Sequence, residues 1–273
     1  MSAAAKPAMP DQVQTALGLR VVGRLQEALD VLVTPGANIR DFYTVRADLQ
    51  FALCRYEEAA GSYFTVITSE PENAYAYLNF ALCLRHLGRW AQAAEAFEKV
   101  LQFEPHRDEA RLTLAACQLH LNRPQEALAN FDRIWSDAAR GPALFGKAVA
   151  LQLLRRFGEA AAAYERVLAA DPNSEEVLSN LIALSIEARE LDDARRYSLR
   201  LLELRPQSTI ALQGLAAVAL ERREFEAAVQ YCGRIVERDS ACVEAWHNLR
   251  FATGRIMSAL KTPQAAPAAA GRR

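Results

Sequence analysis

A chain of 273 residues, 51% of them apolar, can bury a large core as one or two compact domains or as one repeat array. Its 32 basic and 33 acidic side chains leave a formal charge of −1, which excludes the basic excess that nucleic-acid steering requires. With 12 Gly and 11 Pro, the bulk of the chain is not low-complexity sequence either.

In chain order, residues 1–8 come first. MSAAAKPAMPDQ has no apolar h-region, so it does not read as a secretory signal, and its Pro/Ala content predicts an unordered start. From residue 9 a pattern sets in and repeats. An Ala stands at 28, 59, 93, 127, 160, 194 and 228, with steps of 31, 34, 34, 33, 34 and 34. A second series lies twelve residues earlier in each unit, at Ala16, Ala47, Ala81, Ala115, Ala148, Ile182 and Ala216. Pro71, Pro105, Pro172 and Pro206 follow their respective Ala by twelve residues. Three series in one phase define seven units: 9–39, 40–73, 74–107, 108–140, 141–174, 175–208 and 209–242.

Each unit carries two helical stripes. In 74–107, Tyr77, Phe80, Ala81 and Leu84 keep the 3–4 spacing of one helix, and Trp90, Ala93, Ala94, Phe97, Val100 and Leu101 that of a second. Gly88-Arg89 breaks the pattern between them, and Glu104-Pro105 ends the second helix. In the first unit the second helix is expected over Gln26–Val33, closed by Thr34-Pro35-Gly36. In the fourth, Pro124 takes the place of the aromatic at the second-helix start, where a first-turn Pro is tolerated. Gly141-Pro142 reads as the cap and first turn of the fifth unit. Ile182, Ser198 and Cys232 depart from the usual sizes, so packing over 175–242 is expected to differ from that over 40–174. A last helix, about 243–260, bears Arg250 where a small residue would accept a partner, and so reads as a cap. KTPQAAPAAAGRR, from 261, reads as an unordered tail.

A period of 34 with aromatic–x–x–Ala–x–x–x–aromatic and a closing Pro resembles the tetratricopeptide repeat. The resemblance covers about residues 9–242. It implies an all-α fold: an α-solenoid superhelix of seven helix-turn-helix repeats plus a C-terminal capping helix, read as one solenoid over 9–260. The small residues let paired backbones approach closely, and stacking covers the apolar face that one hairpin leaves open.

Such arrays work by binding, with the first helix of each unit lining the inner face. Counted from the first residue of a unit, positions 4, 7, 8 and 11 face the second helix, and positions 2, 5, 6, 9, 12 and 13 lie opposite. Unit two gives Asp41, Thr44, Val45, Asp48 and Phe51. Unit three gives Tyr75, Leu78, Asn79, Leu82, Arg85 and His86. Unit four gives Glu109, Leu112, Thr113, Ala116, Leu119 and His120. Unit five gives Pro142, Phe145, Gly146, Val149, Gln152 and Leu153. This much Leu and Phe away from the hairpin seam suggests a groove for an apolar or amphipathic partner segment, helical or extended. The alternative is that adjacent first helices bury the stripe among themselves.

Some members of the resembling family hold a partner's C-terminal carboxylate with Lys and Asn at positions 5 and 9, a following Asn at 6, and Lys or Arg at 2 and 6 of the third unit. Around Asn79 those places hold Thr44, Asp48, Glu109 and Thr113, none of them a cation. Asn180 and Asn248 fail in the same way. A role in holding a peptide backbone stays open for Asn79, Asn180 and Asn248, although Val45, Thr113, Gly146 and Gly214 interrupt that ladder. His86 and His120 are equivalent positions, but helices ~8–10 Å apart hold two imidazoles too far apart for one ion. Cys83 and Cys117 are equivalent too and read as buried thiols. Five scattered Cys make no disulfide framework and fit a reducing, cytoplasmic compartment.

No run approaches ~18 apolar residues, so no membrane span is expected. No G-x-S-x-G, Walker loop, G-x-G-x-x-G or H-E-x-x-H appears, so no enzyme, cofactor or metal is expected. The reading is a non-enzymatic scaffold or adaptor with a protein or peptide partner and no nucleic acid. The alternative is a regulatory or substrate-recognition subunit of a separate enzyme, or of a secretion or pilus-assembly machine. Self-association through terminal repeats stays open.

Overall fold

The computed structural model describes residues 12–35 and 38–261. The residues expected to be unordered at both ends, apart from Lys261, lie outside this range, as does Gly36. Among the described residues the fold is all-α, with fifteen helices. Seven pairs follow the repeats. They are α1 (Gln12–Val21) with α2 (Leu25–Val31), α3 (Ile39–Ala52) with α4 (Tyr56–Ser69), and α5 (Ala74–His86) with α6 (Trp90–Phe103). Next come α7 (Asp108–His120) with α8 (Pro124–Phe131), and α9 (Asp137–Leu153) followed by α10 (Phe157–Ala170). Then α11 (Glu175–Glu187) pairs with α12 (Leu191–Leu204), and α13 (Thr209–Glu221) with α14 (Phe225–Arg238). Helix α15 (Val243–Lys261) closes the series.

The periodic Ala residues are the packing contacts. Ala28, Ala59, Ala93, Ala127, Ala160, Ala194 and Ala228 all have 0% exposure. In the earlier series Ala16, Ala47, Ala81, Ala115 and Ala148 are equally buried, and Ile182 and Ala216 are nearly so. Where helices of one compact unit cross, a methyl group lets them approach closely, and larger side chains such as Tyr63, Phe97 and Tyr164 fill the space around the small residues.

The turns repeat as faithfully as the core. After α5, Gly88 takes φ 71°; its N–H donates to the Arg85 carbonyl at 3.0 Å, and the Arg89 N–H donates to the Leu84 carbonyl at 2.9 Å. This is a Schellman closure of the first helix. Cys54, Asn122, Arg189 and Arg223 close α3, α7, α11 and α13 in the same way. First helices start on side-chain caps: Asn38, Asn73, Ser136 and Ser208 accept the N–H three residues on.

Two boundaries differ from the sequence reading. Helix α2 runs Leu25–Val31, not to Val33. Helix α9 starts at Asp137, so Gly141-Pro142 does not open it and Pro142 lies inside it. The cap is Ser136, whose hydroxyl accepts the Ala139 N–H. The turn before it is held by Asp108, whose carboxylate accepts the N–H groups of Trp135 at 3.0 Å and Ser136 at 2.7 Å. These anchors start the helix a full turn before the proline. Pro124 does stand at the start of α8, in the first turn.

The chain divides into two compact units, one ending at Leu154 and one starting at Arg155, so the break falls within the fifth repeat. In the first, α1 to α9 pack on one another in sequence; in the second, α10 to α15 do so. Departures in residue size within the second unit compensate one another. Ile182 and Ser198 both press on Gly214, where a Cβ would stand 2.7 Å from the Ile182 Cγ2.

Candidate functional site

Within the first unit, the faces of α7 and α9 opposite their hairpin seams enclose a trough of about 490 Å³. Leu112, Ala116 and Leu119 form one wall, and Phe145, Val149 and Leu153 the other. Most of these side chains are half-buried and none is fully covered. The floor is the Phe131 ring from α8, which reaches the trough because Gly146 has no side chain: a Cβ at Gly146 would collide with that ring. Arg85, from the end of α5, and His120 complete one end. The Arg85 Nε is buried and has no hydrogen-bond partner among the described residues.

Of the residues that the sequence places on the inner face, Arg85, Leu112, Leu119, His120, Phe145 and Val149 line this trough, with Thr113, Ala116, Pro142, Gly146 and Leu153 beside them. The others do not. Leu78 is only 6% exposed and packs in the core with Leu114 and Cys117, so it offers no surface. Leu82 is half-buried against the same core. The Asn79 amide donates to the Tyr75 carbonyl of its own helix at 3.0 Å. Asn180 is half-buried on α11, in the second unit. Phe131 was missed, because its spacing marks it as a second-helix core aromatic; the one signal for it was the Gly at position 6 of the next unit.

Tyr75 belongs to a polar cluster. Asp48 accepts from the Tyr63 hydroxyl at 2.6 Å and the Tyr75 hydroxyl at 2.8 Å, and pairs with Arg20 at 3.2 Å. Burial, then the bond to Asp48, raises both phenols, Tyr75 to about 12. The cluster ties α1, α3, α4 and α5 together, so Asp48 acts as a clasp between repeats.

The two equivalent histidines have a shared packing role. His86 stacks on Tyr56 with centroids 4.3 Å apart and meets Phe51 edge-on at 5.7 Å. His120 stacks on Trp90 at 3.9 Å. In each case the ring opening one repeat's second helix is covered by position 13 of the next repeat. The second unit keeps this theme by other means: Arg255 lies over Phe225, while Arg155 lies over Phe157 and pairs with Glu187 at 3.0 Å. Cys83 and Cys117 are buried free thiols, pushed up by burial to about 12 and about 11. Such thiols carry little thiolate at neutral pH and are poor nucleophiles.

Among the described residues no His, Cys, Asp and Glu cluster could hold a metal ion, and no helix is long and apolar enough to cross a membrane. The trough offers apolar surface, one guanidinium and an imidazole.

Among curated proteins no sequence match was found. Solved structures do match in fold. A repeat protein from Cytophaga hutchinsonii aligns over 87% of this chain and 99% of its own, with TM-score 0.72 and 15% identity. PilW, described as a widely conserved type IV pilus biogenesis factor, aligns over 80% of this chain and 100% of its own, with TM-score 0.62 and 22% identity. YrrB, described as a TPR protein with an unusual peptide-binding site, aligns over 69% and 97%, with TM-score 0.57 and 18% identity. At these identities the likeness is one of fold. Two tetratricopeptide repeat models match the sequence itself, one at 84–150 and 153–203, the other at 44–108 and 186–241. With the 34-residue period, the buried Ala series and the hairpin architecture, these matches show that the chain belongs to the tetratricopeptide repeat family.

Proposed function

We propose that the protein is a non-enzymatic interaction scaffold that takes an apolar or amphipathic partner segment in the trough between α7 and α9. The observation that carries this reading is the half-exposed lining of Leu112, Leu119, Phe145 and Val149. These side chains keep apolar surface in water that a partner would cover, at roughly 25 cal/mol per Å². The peptide-binding site named for YrrB, on a similar fold, supports the same kind of use. The free cysteines agree with a reducing, cytoplasmic setting.

The test is a selection of displayed random peptides on the full-length protein, repeated with Phe145→Glu and Leu119→Glu variants whose circular dichroism matches the parent. Enriched peptides should bind the parent and lose at least tenfold in affinity for both variants. Equal binding to all three proteins would remove the trough from consideration.

A second reading draws on the match to PilW over its whole length. In it, the partner segment belongs to a secretion or pilus-assembly machine, and the protein serves as its recognition subunit. Co-purification of one such complex at fixed stoichiometry would favour it, and a solitary protein at native abundance would count against it.

A further inference from the structure

The lining of the trough also specifies what its occupant looks like. We infer that the occupant is an amphipathic α-helix of a partner protein, carrying an Asp or Glu side chain beyond its apolar anchors that pairs with Arg85. This rests on the reading of the trough as a binding site.

The secondary structure follows from hydrogen bonding. An extended segment would lay its own N–H and C=O groups against the trough, and each would need a partner there. The walls offer few. The Thr113 hydroxyl donates to the Glu109 carbonyl at 2.9 Å, the nearby Asn79 amide is turned to Tyr75, and Gly146 presents no side chain. A helix brings its backbone already satisfied and needs only apolar contact. The size agrees: the α9 wall runs from Pro142 to Leu153, roughly 16 Å at 1.5 Å per residue, enough for about three turns with anchors at i, i+3 or i+4, and i+7.

The charge follows from Arg85. Among the described residues it is the one formally charged side chain lining the trough, and no carboxylate of theirs lines it. Its Nε is buried, and among the described residues it has no hydrogen-bond partner there and forms no ion pair, unlike Arg89 on Glu57 or Arg107 on Glu104. A half-buried guanidinium with an empty donor at the end of an apolar trough favours an acid at that end of the ligand. The neighbouring His120 ring is taken up by its stack on Trp90.

The peptides selected above provide the test. The strongest binder is synthesised with free and with amidated C-terminus, with its acidic residue changed to Gln or Lys, and with Pro at its centre. Each is titrated against the full-length parent and Arg85→Glu. The expected pool shows helical apolar spacing with an Asp or Glu in register. The central Pro and the Lys change should each weaken binding to the parent at least tenfold, the Gln change should weaken it less, and amidation should leave it unaltered. The Lys peptide should regain affinity for Arg85→Glu; if that variant does not fold, the peptide series on the parent decides alone. A pool without an acid, a binder indifferent to Pro, or a carboxylate need that disappears on amidation would each overturn the inference while leaving the trough as a site. Failure to enrich any peptide would instead overturn the trough reading and this inference with it.

Discussion

Gly23, Cys54, Gly88, Asn122, Arg189 and Arg223 each close a first helix with a positive φ, and only two of them are glycine. A side chain with Cβ costs roughly 1–2 kcal/mol in this backbone region, so most of these turns carry strain that the hairpin packing outweighs. Arg223, exposed and with φ 60°, is the best place to remove it. Arg223→Gly should stabilise by about 0.5–1 kcal/mol, the gain being trimmed by glycine's freedom in the unfolded chain, while Gly88→Ala should lose about 1 kcal/mol. Urea midpoints of the two variants against the parent give both signs. His86 allows a second measurement. Burial first, and then the charge of Arg85, hold its pKa below the ordinary 6.5. The unfolded chain therefore binds this proton more readily than the folded one. The corresponding stability is present above about pH 6.5 and is lost as pH falls through the depressed folded value. His86→Phe, which keeps a ring over Tyr56, should show a smaller fall in urea midpoint between pH 7.5 and pH 5 than the parent. An unchanged fall would place the acid sensitivity elsewhere.

Between neighbouring elements, volume is conserved across residues that look anomalous one at a time. Gly146 on α9 receives the Phe131 ring of α8, and Gly214 on α13 receives Ile182 of α11 and Ser198 of α12. Both glycines hold position 6 of their repeats, where the sequence showed only an interrupted Asn series. The sequence pattern predicted the face that lines the trough, because helix periodicity sorts positions into stripes without knowledge of neighbours. It could not distinguish Leu78, buried in the α5–α7 core, from Leu112, half-open on the trough, since that depends on which side chains of the next helix stand opposite. Nor could spacing show that His86 and His120 each cap a ring of the preceding repeat. At Gly146 the consequence is measurable. Gly146→Ala puts a methyl into the Phe131 ring and should cost about 1–3 kcal/mol by overpacking, despite alanine's better helix propensity. Glycines open to space on their helices, Gly158 and Gly233, should respond in the other direction, gaining up to about 1 kcal/mol as Ala. Thermal melts of the three variants compare packing with propensity directly.

For the molecule as a whole, the family and the all-α pattern of two helices to a repeat were legible because a repeat fold writes one local solution many times, and each copy corroborates the others. The limits of α2 and α9 depart from that pattern, and at α9 the turn is set by a contact outside the repeating motif, Asp108 holding the backbone at Trp135 and Ser136. The same locality governs stability. Helices within each compact unit pack on the next and next-but-one helices in sequence, so stability is approximately a sum of repeat and nearest-neighbour terms. Damage to one repeat should then remain near it. Ala93, with 0% exposure at the α5–α6 crossing, is the clearest point of attack, since a larger side chain there must force the two backbones apart. In Ala93→Leu, amide hydrogen exchange should speed up in α5 and α6, less so in α4 and α7, and stay at parental rates in α11 to α14. Equal acceleration across all of these helices would mean that the chain opens as one cooperative body, and the nearest-neighbour account of its stability would be wrong.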